Sequence, residues 1–492
     1  MKKHHWNGSL ITATRQSPSS SAANGVFNLV SQQVFKSASK WPATAASIVT
    51  NALLLHLDAG QTDSYSGTGT TWTDLSGNNN DATLVNGIGY SGANYGALVF
   101  DGANDYVRED TVLDTFTATS DTWSIGCWFN TDINPNVVEC MIGINYNNGA
   151  ENTLLLGVVN NSGCKLAVYY RHSILSNTTA VTVGQWHHVV VTHASGSLKV
   201  YLDGIQITSS SNTVNRALSD CAFLIGAELD SGSSFGNYFD GKISSTLIYS
   251  KTLTASETLQ NYNALKNRYG HKSVVTEGLA LHLDAAHPDS YSGSGTTWYD
   301  LTSNDLDFTL QNGPVHNFGF GGHFVFDGTN DKAQVSSGWT SFDSDPFTIE
   351  IWYRYHTASE YESVLSTQSS GTNSFQVDFS STGRLRFRVA GQDNIEASSS
   401  TQGANTWKQV VLVREGTGTN EFKIYLNGSL DTTATLSANF DLDSQLAIAR
   451  NRGGGSYFDG DISVVRIYKN KALTSSEVTQ NYDAVKGRYG LS

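Results

Sequence analysis

At 492 residues, with 39% hydrophobic and 15% charged residues, the chain carries enough apolar material for more than one core and too few charges for an extended disordered polymer. A formal net charge of −14 supplies no basic footprint, so nucleic acid and anionic membrane are excluded as expected partners, leaving neutral glycans or other proteins. Glycine is frequent at 46, proline scarce at 6 and aromatics reach 11%, a mixture suited to many short strands joined by turns.

Residues 1–51 differ from everything that follows. Met1-Lys2-Lys3-His4-His5-Trp6 lacks the apolar run of a secretory signal, and no stretch in the chain approaches the roughly 18 apolar residues of a membrane span. No membrane insertion is therefore expected, and if the protein works outside a cell it is expected to leave by lysis or by a route the sequence does not reveal. After a Ser/Ala-rich stretch at Ser17 to Ala23, Val26, Phe27, Leu29, Phe35 and Trp41 are spaced along a polar background. Such a segment reads as an extended arm whose apolar anchors dock on a partner, or as a disordered or self-packed leader.

The remainder says nearly the same thing twice. Leu53 to Ala59 with Asp63 to Trp72 returns as Leu279 to Ala285 with Asp289 to Trp298, an offset of 226 residues from Leu55 to Leu281. Phe100 to Asp105 matches Phe326 to Asp331, and Tyr238 to Gly241 matches Tyr457 to Gly460. A repeat of this length is a duplicated domain. The expected domains are 1–51, 52–271 and 272–492.

Within each copy the apolar period is two, the strand signal. Leu198, Val200 and Leu202 share a face before Asp203-Gly204, and Phe422, Ile424 and Leu426 do so before Asn427-Gly428, both favoured two-residue hairpin turns. Phe375 to Phe379 and Leu385 to Val389 predict another hairpin, with Arg384, Arg386 and Arg388 on one face as a solvated ladder or an acidic partner's surface. One helix per copy is legible, each opening on a capping box, Thr254-Ala255-Ser256-Glu257 and Thr474-Ser475-Ser476-Glu477, and ending on Arg-Tyr-Gly at Gly270 and Gly490. These helices are expected to plug one end of each domain. His271 to Glu277 form a short linker that should hold the copies as a rigid pair. Cys127, Cys140, Cys164 and Cys221 all lie in the first copy, match no metal or redox spacing, and are expected as buried free thiols.

The ordered set Phe100 to Val107, Trp123 to Phe129, Gln185 to Thr192, Leu198 to Gly204 and Phe239-Asp240-Gly241, with its second-copy counterparts, resembles the laminin-G-like, concanavalin-A-like jelly-roll family over nearly all of residues 52–490. The match departs at Lys332-Ala333, where the first copy has Tyr106-Val107. The resemblance implies an all-β fold: two antiparallel jelly-roll sandwiches in tandem, each with one short C-terminal helix, behind an N-terminal arm. It also implies calcium as the one cofactor to expect, at loop acids Asp101, Asp105 and Asp240 or Asp327, Asp331 and Asp459, although the same acids can cap tight turns. Trp128 and Trp352 fall on the sheet face opposite the core, where they would either stack on sugar rings or be covered.

Catalysis is not expected. Glycan hydrolases need two facing carboxylates, whereas Glu228-Leu229-Asp230 has no counterpart in the second copy, where Ala447-Ile448-Ala449 is taken as the matching stretch, and Glu350 stands alone. His187 and His188 become Lys408 and Gln409, which reads as surface variation. Residues 23–42 are similar to a short segment of many bacteriophage structural proteins. Together the resemblances imply a non-enzymatic virion protein, localised to the particle, anchored by its arm to capsid or tail proteins. It would act as decoration or attach to host-surface glycans, and it would be a homo-oligomer because virion parts occupy symmetric sites. The rival is a bacterial lectin-like adhesin or secreted glycan-binding protein.

Overall fold

The computed structural model describes residues 47–491, excepting 94–95, 119–120, 136, 147–151, 171–172, 195, 212–216, 232–233, 320–321, 336–341, 358–359, 368–373, 382, 390–393, 399–403, 439–444 and 452. The expected arm anchors Val26, Phe27, Leu29, Phe35 and Trp41 lie outside these residues. Thr50–Ser492 forms one compact unit, built from two β-sandwiches in which every strand pairing among the described residues is antiparallel.

Alternation sets the layers. Trp123, Ile125, Cys127 and Phe129 of strand Trp123–Thr131 enter the first core, and Phe347, Ile349, Ile351 and Tyr353 of strand Phe347–Tyr355 enter the second. These strands are central in the front sheet of each sandwich. In the first the order is Ile205–Ser210, Ser197–Leu202, Trp186–Ala194, Trp123–Thr131, Asp240–Tyr249, Ala97–Asp101 and Gly89–Ser91, with Leu53–Asp58 paired to the other half of Asp240–Tyr249. The back sheet runs Ser173–Ser176, Cys164–Tyr170, Asn152–Asn160, Glu139–Tyr146, Cys221–Ile225, Tyr106–Glu109, Ala82–Val85 and Thr71–Trp72. The second sandwich repeats both orders strand for strand. This strand register moves one expected match: Ile225 pairs with Val107 as Ile448 pairs with Ala333, so Ala447–Ala449 corresponds to Leu224–Gly226, and Glu228 has Asn451 opposite it.

The repeated sequence phrases are structural devices. Trp72 and Trp298 are fully buried in the two cores, where truncating either should cost about 3–5 kcal/mol. Ser64 accepts from the Asp58 amide and donates to the Thr73 carbonyl, and Ser290 does the same between Asp284 and Tyr299. Asp203-Gly204 and Asn427-Gly428 turn with φ of 51° and 80°, and 48° and 76°, the left-handed pair that a tight hairpin requires. All four cysteines are buried and none is in a disulfide among the described residues. Burial raises the thiols of Cys127, Cys140 and Cys164, the last to about 11, which suppresses the reactive thiolate.

Both helices, Ala255–Leu265 and Ser475–Val485, carry the complete capping box, and Gly270 and Gly490 close them in the left-handed conformation. They do not plug an end of the sandwich. Each lies over the outer face of the front sheet and returns its last residues to the first strand. Arg268 grips Asp58 with two nitrogens at 2.7 and 2.9 Å, and Arg488 Nη1 lies 2.8 Å from both Asp284 oxygens. Burial works to raise the Asp284 carboxyl, but Arg488, His282 and Arg466 outweigh it and bring its pKa to about 2.

The linker is fastened at both ends. His271 lies 2.9 Å from the Tyr262 hydroxyl and 2.7 Å from the Trp186 carbonyl, and Val275 donates its amide to Asn481. The sandwiches then meet head to tail. The hairpin turn at Gly204 and the start of the first helix face the Ala285–Ser292 loop and Phe318 of the second sandwich across a shallow cavity. Ser256 Oγ donates to Asp289 Oδ1 at 2.7 Å, and Lys266 lies near Arg488, which together with burial lowers its ammonium pKa.

Candidate functional site

Three places carry the expected site residues. The first is the outer face of the front sheet. Trp128 and Trp352 do point away from the cores, but the helices cover them. Trp128 is 1% exposed, stacked on Tyr269 with centroids 4.3 Å apart and on Tyr262 at 5.6 Å. Trp352 is fully buried between Tyr489 at 4.8 Å and Tyr482 at 5.7 Å. Neither indole leaves a face for a sugar ring, which corrects the stacking expectation: these tryptophans seat the Arg-Tyr-Gly segment. His187 and His188 are likewise buried and do not vary on a surface. His187 Nε2 accepts from the Thr182 amide, so its Nδ1–H donates to Asp203 at 2.8 Å, while His188 stacks on Trp128.

The second place is the pair of acidic turns. Asp101 Oδ1 accepts from the amides of Ala103 (2.9 Å) and Asn104 (3.4 Å), and Asp105 Oδ2 accepts from the Asp101 amide at 3.2 Å. Asp327 and Asp331 repeat the arrangement with Thr329, Asn330 and the Asp327 amide. Asp240 and Asp459 stand beside these turns, so close that a Cβ at Gly102 or Gly328 would lie 3.0 or 2.9 Å from theirs. The acids therefore come together as sequence spacing suggests, with oxygens engaged in capping backbone amides. Among the described residues no group of three or more His, Cys, Asp or Glu is arranged to hold a metal. The surroundings differ in sign between copies. Lys242 pairs with Asp132 in the first, whereas in the second Asp461 takes the Lys242 position and faces Arg354 and His356. Nearby Glu139, buried and accepting from the Asp240 amide, has its pKa pushed to about 7 by burial.

The third place is the outer face of the second sandwich's back sheet. The hairpin Phe375–Phe379 and Leu385–Val389 turns its phenylalanines and valines into the core, leaving Gln376, Asp378 and the arginines on the far side. They do not form a solvated ladder. Arg386 donates to Asp378 Oδ1 (2.9 Å) and Oδ2 (3.2 Å) and to the Phe379 carbonyl, and Arg388 donates to Oδ2 at 3.1 Å. Gln376 completes the shell around Asp378, and Glu360 lies 3.5 Å from Arg386. Above these guanidinium groups lies Tyr361, with Arg388 4.8 Å and Arg386 5.1 Å from its ring centre. Tyr361 is 41% exposed and has φ of 72°, a costly backbone conformation for a bulky residue, held by its amide on the Phe379 carbonyl at 3.1 Å. Two guanidinium groups thus lie over a ring that is part-exposed. Sequence reading missed Tyr361 and Asp378. The hairpin register, which pairs Asp378 directly with Arg386, was the available signal for the second; nothing local announces the first.

With this architecture in hand, the family is plain. The profile of the concanavalin A-like lectin/glucanases superfamily matches residues 101–258 and 327–479, well over half of the chain, and the chain belongs to that family. No curated protein matches it. Among solved structures it is similar to domain 4 of AbnA, an extracellular arabinanase from Geobacillus stearothermophilus in complex with arabinotriose, at 19% identity and a TM-score of 0.33 over 43% of this chain and 98% of that one. A Trypanosoma rangeli sialidase with sialic acid aligns at 14% identity and 0.33 over 79% and 60%. A Limulus polyphemus pentraxin aligns at 17% and 0.27 over 33% and 78%. Scores this low carry no argument about site or activity.

Proposed function

We propose that this chain is a non-enzymatic glycan-binding protein, engaging neutral sugar through the outer face of the second sandwich around Tyr361. One observation carries the reading: a part-exposed tyrosine, its backbone at positive φ, with its ring over two ion-paired guanidinium groups. Aromatic faces are what sugar rings stack on, and a rigid backing lowers the entropy lost on binding. Local charge favours a neutral ligand, since Asp378 and Glu360 answer Arg386 and Arg388. Asp378 is fully buried with both oxygens occupied, which suits a counter-ion and gives it no part in bond cleavage. We further propose that the module acts as a virion attachment or decoration protein. That setting rests on the resemblance of residues 23–42 alone.

Glycan arrays and calorimetry with the full chain and with Tyr361→Ala test the binding role. Expected is saturable binding to neutral glycan that the variant loses at least tenfold; flat arrays, or equal binding by the variant, sink it. Immunogold labelling of particles from a producing lysate tests the setting. Gold at a repeated position supports a virion component, and unlabelled particles with free protein favour an adhesin or secreted lectin.

A further inference from the structure

The seam between the sandwiches joins two different surfaces. The first sandwich contributes its hairpin turn at Gly204 and the start of its helix, with Ser256 donating to Asp289; the second contributes its Ala285–Ser292 loop. Because the domains are duplicates, each also owns the surface that the other uses here. The second sandwich has its own turn and helix start, at Gly428, Ser475 and Ser476, and the first has its own loop, at Gly60, Asp63, Tyr65 and Ser66. Both spare surfaces are open. Leu430, which stands where Gln206 stands at the seam, is 54% exposed, and Ser475, Ser476 and Thr479 are exposed. At the opposite end Tyr90, the counterpart of His316, is 39% exposed, and Gln61 and Thr62 are exposed where their counterparts His287 and Pro288 are half-buried at the seam.

Part of the seam is kept at the spare ends. Ser476 matches Ser256, Asp63 matches Asp289, Tyr65 and Ser66 match Tyr291 and Ser292, Gly428 matches Gly204, Lys486 matches Lys266 and Arg268 matches Arg488. The other lining positions differ: at the loop end Gly60, Thr62, Tyr90 and Gly92 stand where the seam has Ala286, Pro288, His316 and Phe318, and at the helix end Leu430 and Ser475 stand where it has Gln206 and Ala255. We infer that a second copy of this chain docks its helix end onto the loop end of the first, continuing the internal seam from molecule to molecule, with Ser476 donating to Asp63. Such an interface is heterologous, so repetition closes into a ring or runs on as a filament.

Sedimentation velocity across a concentration series, with full-length wild type, Leu430→Arg and Tyr90→Glu, tests this. Both substitutions fall on exposed side chains, and circular dichroism with thermal melting verifies that the fold is retained. The wild type is expected to advance from one mass to multiples of it as concentration rises. Each variant alone should remain at one mass, because one of its ends is blocked. An equimolar mixture of the two should form a 1:1 dimer and nothing larger, since the intact helix end of Tyr90→Glu meets the intact loop end of Leu430→Arg. A wild type that stays monomeric to millimolar concentration overturns the inference. So does unimpaired association of either variant, or failure of the mixture to dimerise. Loss of glycan binding has no bearing on these masses, so the two readings fail separately.

Discussion

Beneath the helices the two sandwiches solve one packing problem in opposite ways. In the second, Glu350 is fully buried and accepts from Trp352, Gln409, Arg466 and Asn481 at 2.8–3.0 Å. At the matching positions the first has Gly126, Leu247 and His188 around a gap too narrow for a water molecule, and among the described residues the Trp128 indole N–H and His188 Nδ1 have no partner. Asn261 and Asn481, and Tyr249 and Tyr468, are common to both. The shell that places the helix was therefore kept while its centre was exchanged between an apolar gap and a closed ionic network. The comparison teaches that the helix–sheet contact depends on Trp, Tyr, Asn and Arg at its rim, and that its centre accommodates either an ionic network or an apolar gap beside polar atoms without a partner among the described residues.

The sharpest way to break this comparison is Glu350→Gln, which leaves Arg466 as a buried cation without its counter-ion. Urea unfolding should show the second sandwich destabilised by about 3–5 kcal/mol. Adding Arg466→Leu, the residue the first sandwich has at Leu247, should return most of that loss. A single-variant cost below about 1 kcal/mol would mean that water reaches the network.

Acid should expose the contribution of His188 next. Burial lowers the His188 pKa to about 4, against partial opposition from Asp203 and with His271 adding to the decrease. The folded value lies below the unfolded value of about 6.5, so the unfolded chain takes up the proton first. Stability should fall as pH drops from about 6.5 to about 4, by about 3 kcal/mol, and then level off. Melting curves of His188→Gln, which copies Gln409, should lack that part of the decline. Identical pH profiles for variant and wild type would show that His188 is reached by solvent.

A smaller effect sharpens the contrast on the back sheets. Where the second sandwich has Gln376, Asp378, Arg386 and Arg388, the first has Leu155, Gly157, Ala167 and Tyr169, positions fixed by the shared register. Tyr361→Ala should therefore remove at least tenfold of glycan affinity, about 1.4 kcal/mol, with no help from the first sandwich. Residual binding at wild-type strength would move the site there. The least effect is expected from chelation: with Asp101 and Asp327 capping their turns, a melting scan with calcium or with chelator should superimpose on the untreated one. A rise in melting temperature with calcium would turn the turns into ligands.

Sequence carried the scaffold well because its signals are local. Alternation gave Leu198 to Leu202 and Phe375 to Phe379 as strands, Asp203-Gly204 gave a hairpin, and Thr254 with Glu257 gave a helix start. The fate of a strand's far face is decided by what packs on it, which no period reports. Trp128 and Trp352 fall on the side the alternation predicts, but their covering comes from tyrosines 130 or more residues away in sequence. The arginine ladder was read correctly as one face, and its neutralisation needed the register that sets Asp378 beside Arg386. Tyr361 was illegible because a positive φ in a bulky residue has no sequence signature.

One feature of the topology bears on how the protein is made. Strand Leu53–Asp58 pairs only with Asp240–Tyr249 among the described strands, and its Asp58 waits for Arg268, 210 residues later. At roughly 5–20 residues per second of synthesis, that strand stays unpaired for roughly 10–40 s. Soon after Arg268 emerges, Leu279–Asp284 follows it, carrying the same Leu-His-Leu-Asp phrase and the same burial pattern. For a short window during translation two near-identical strands compete for one vacant edge, so order of arrival, more than affinity, decides which of them the nascent domain accepts.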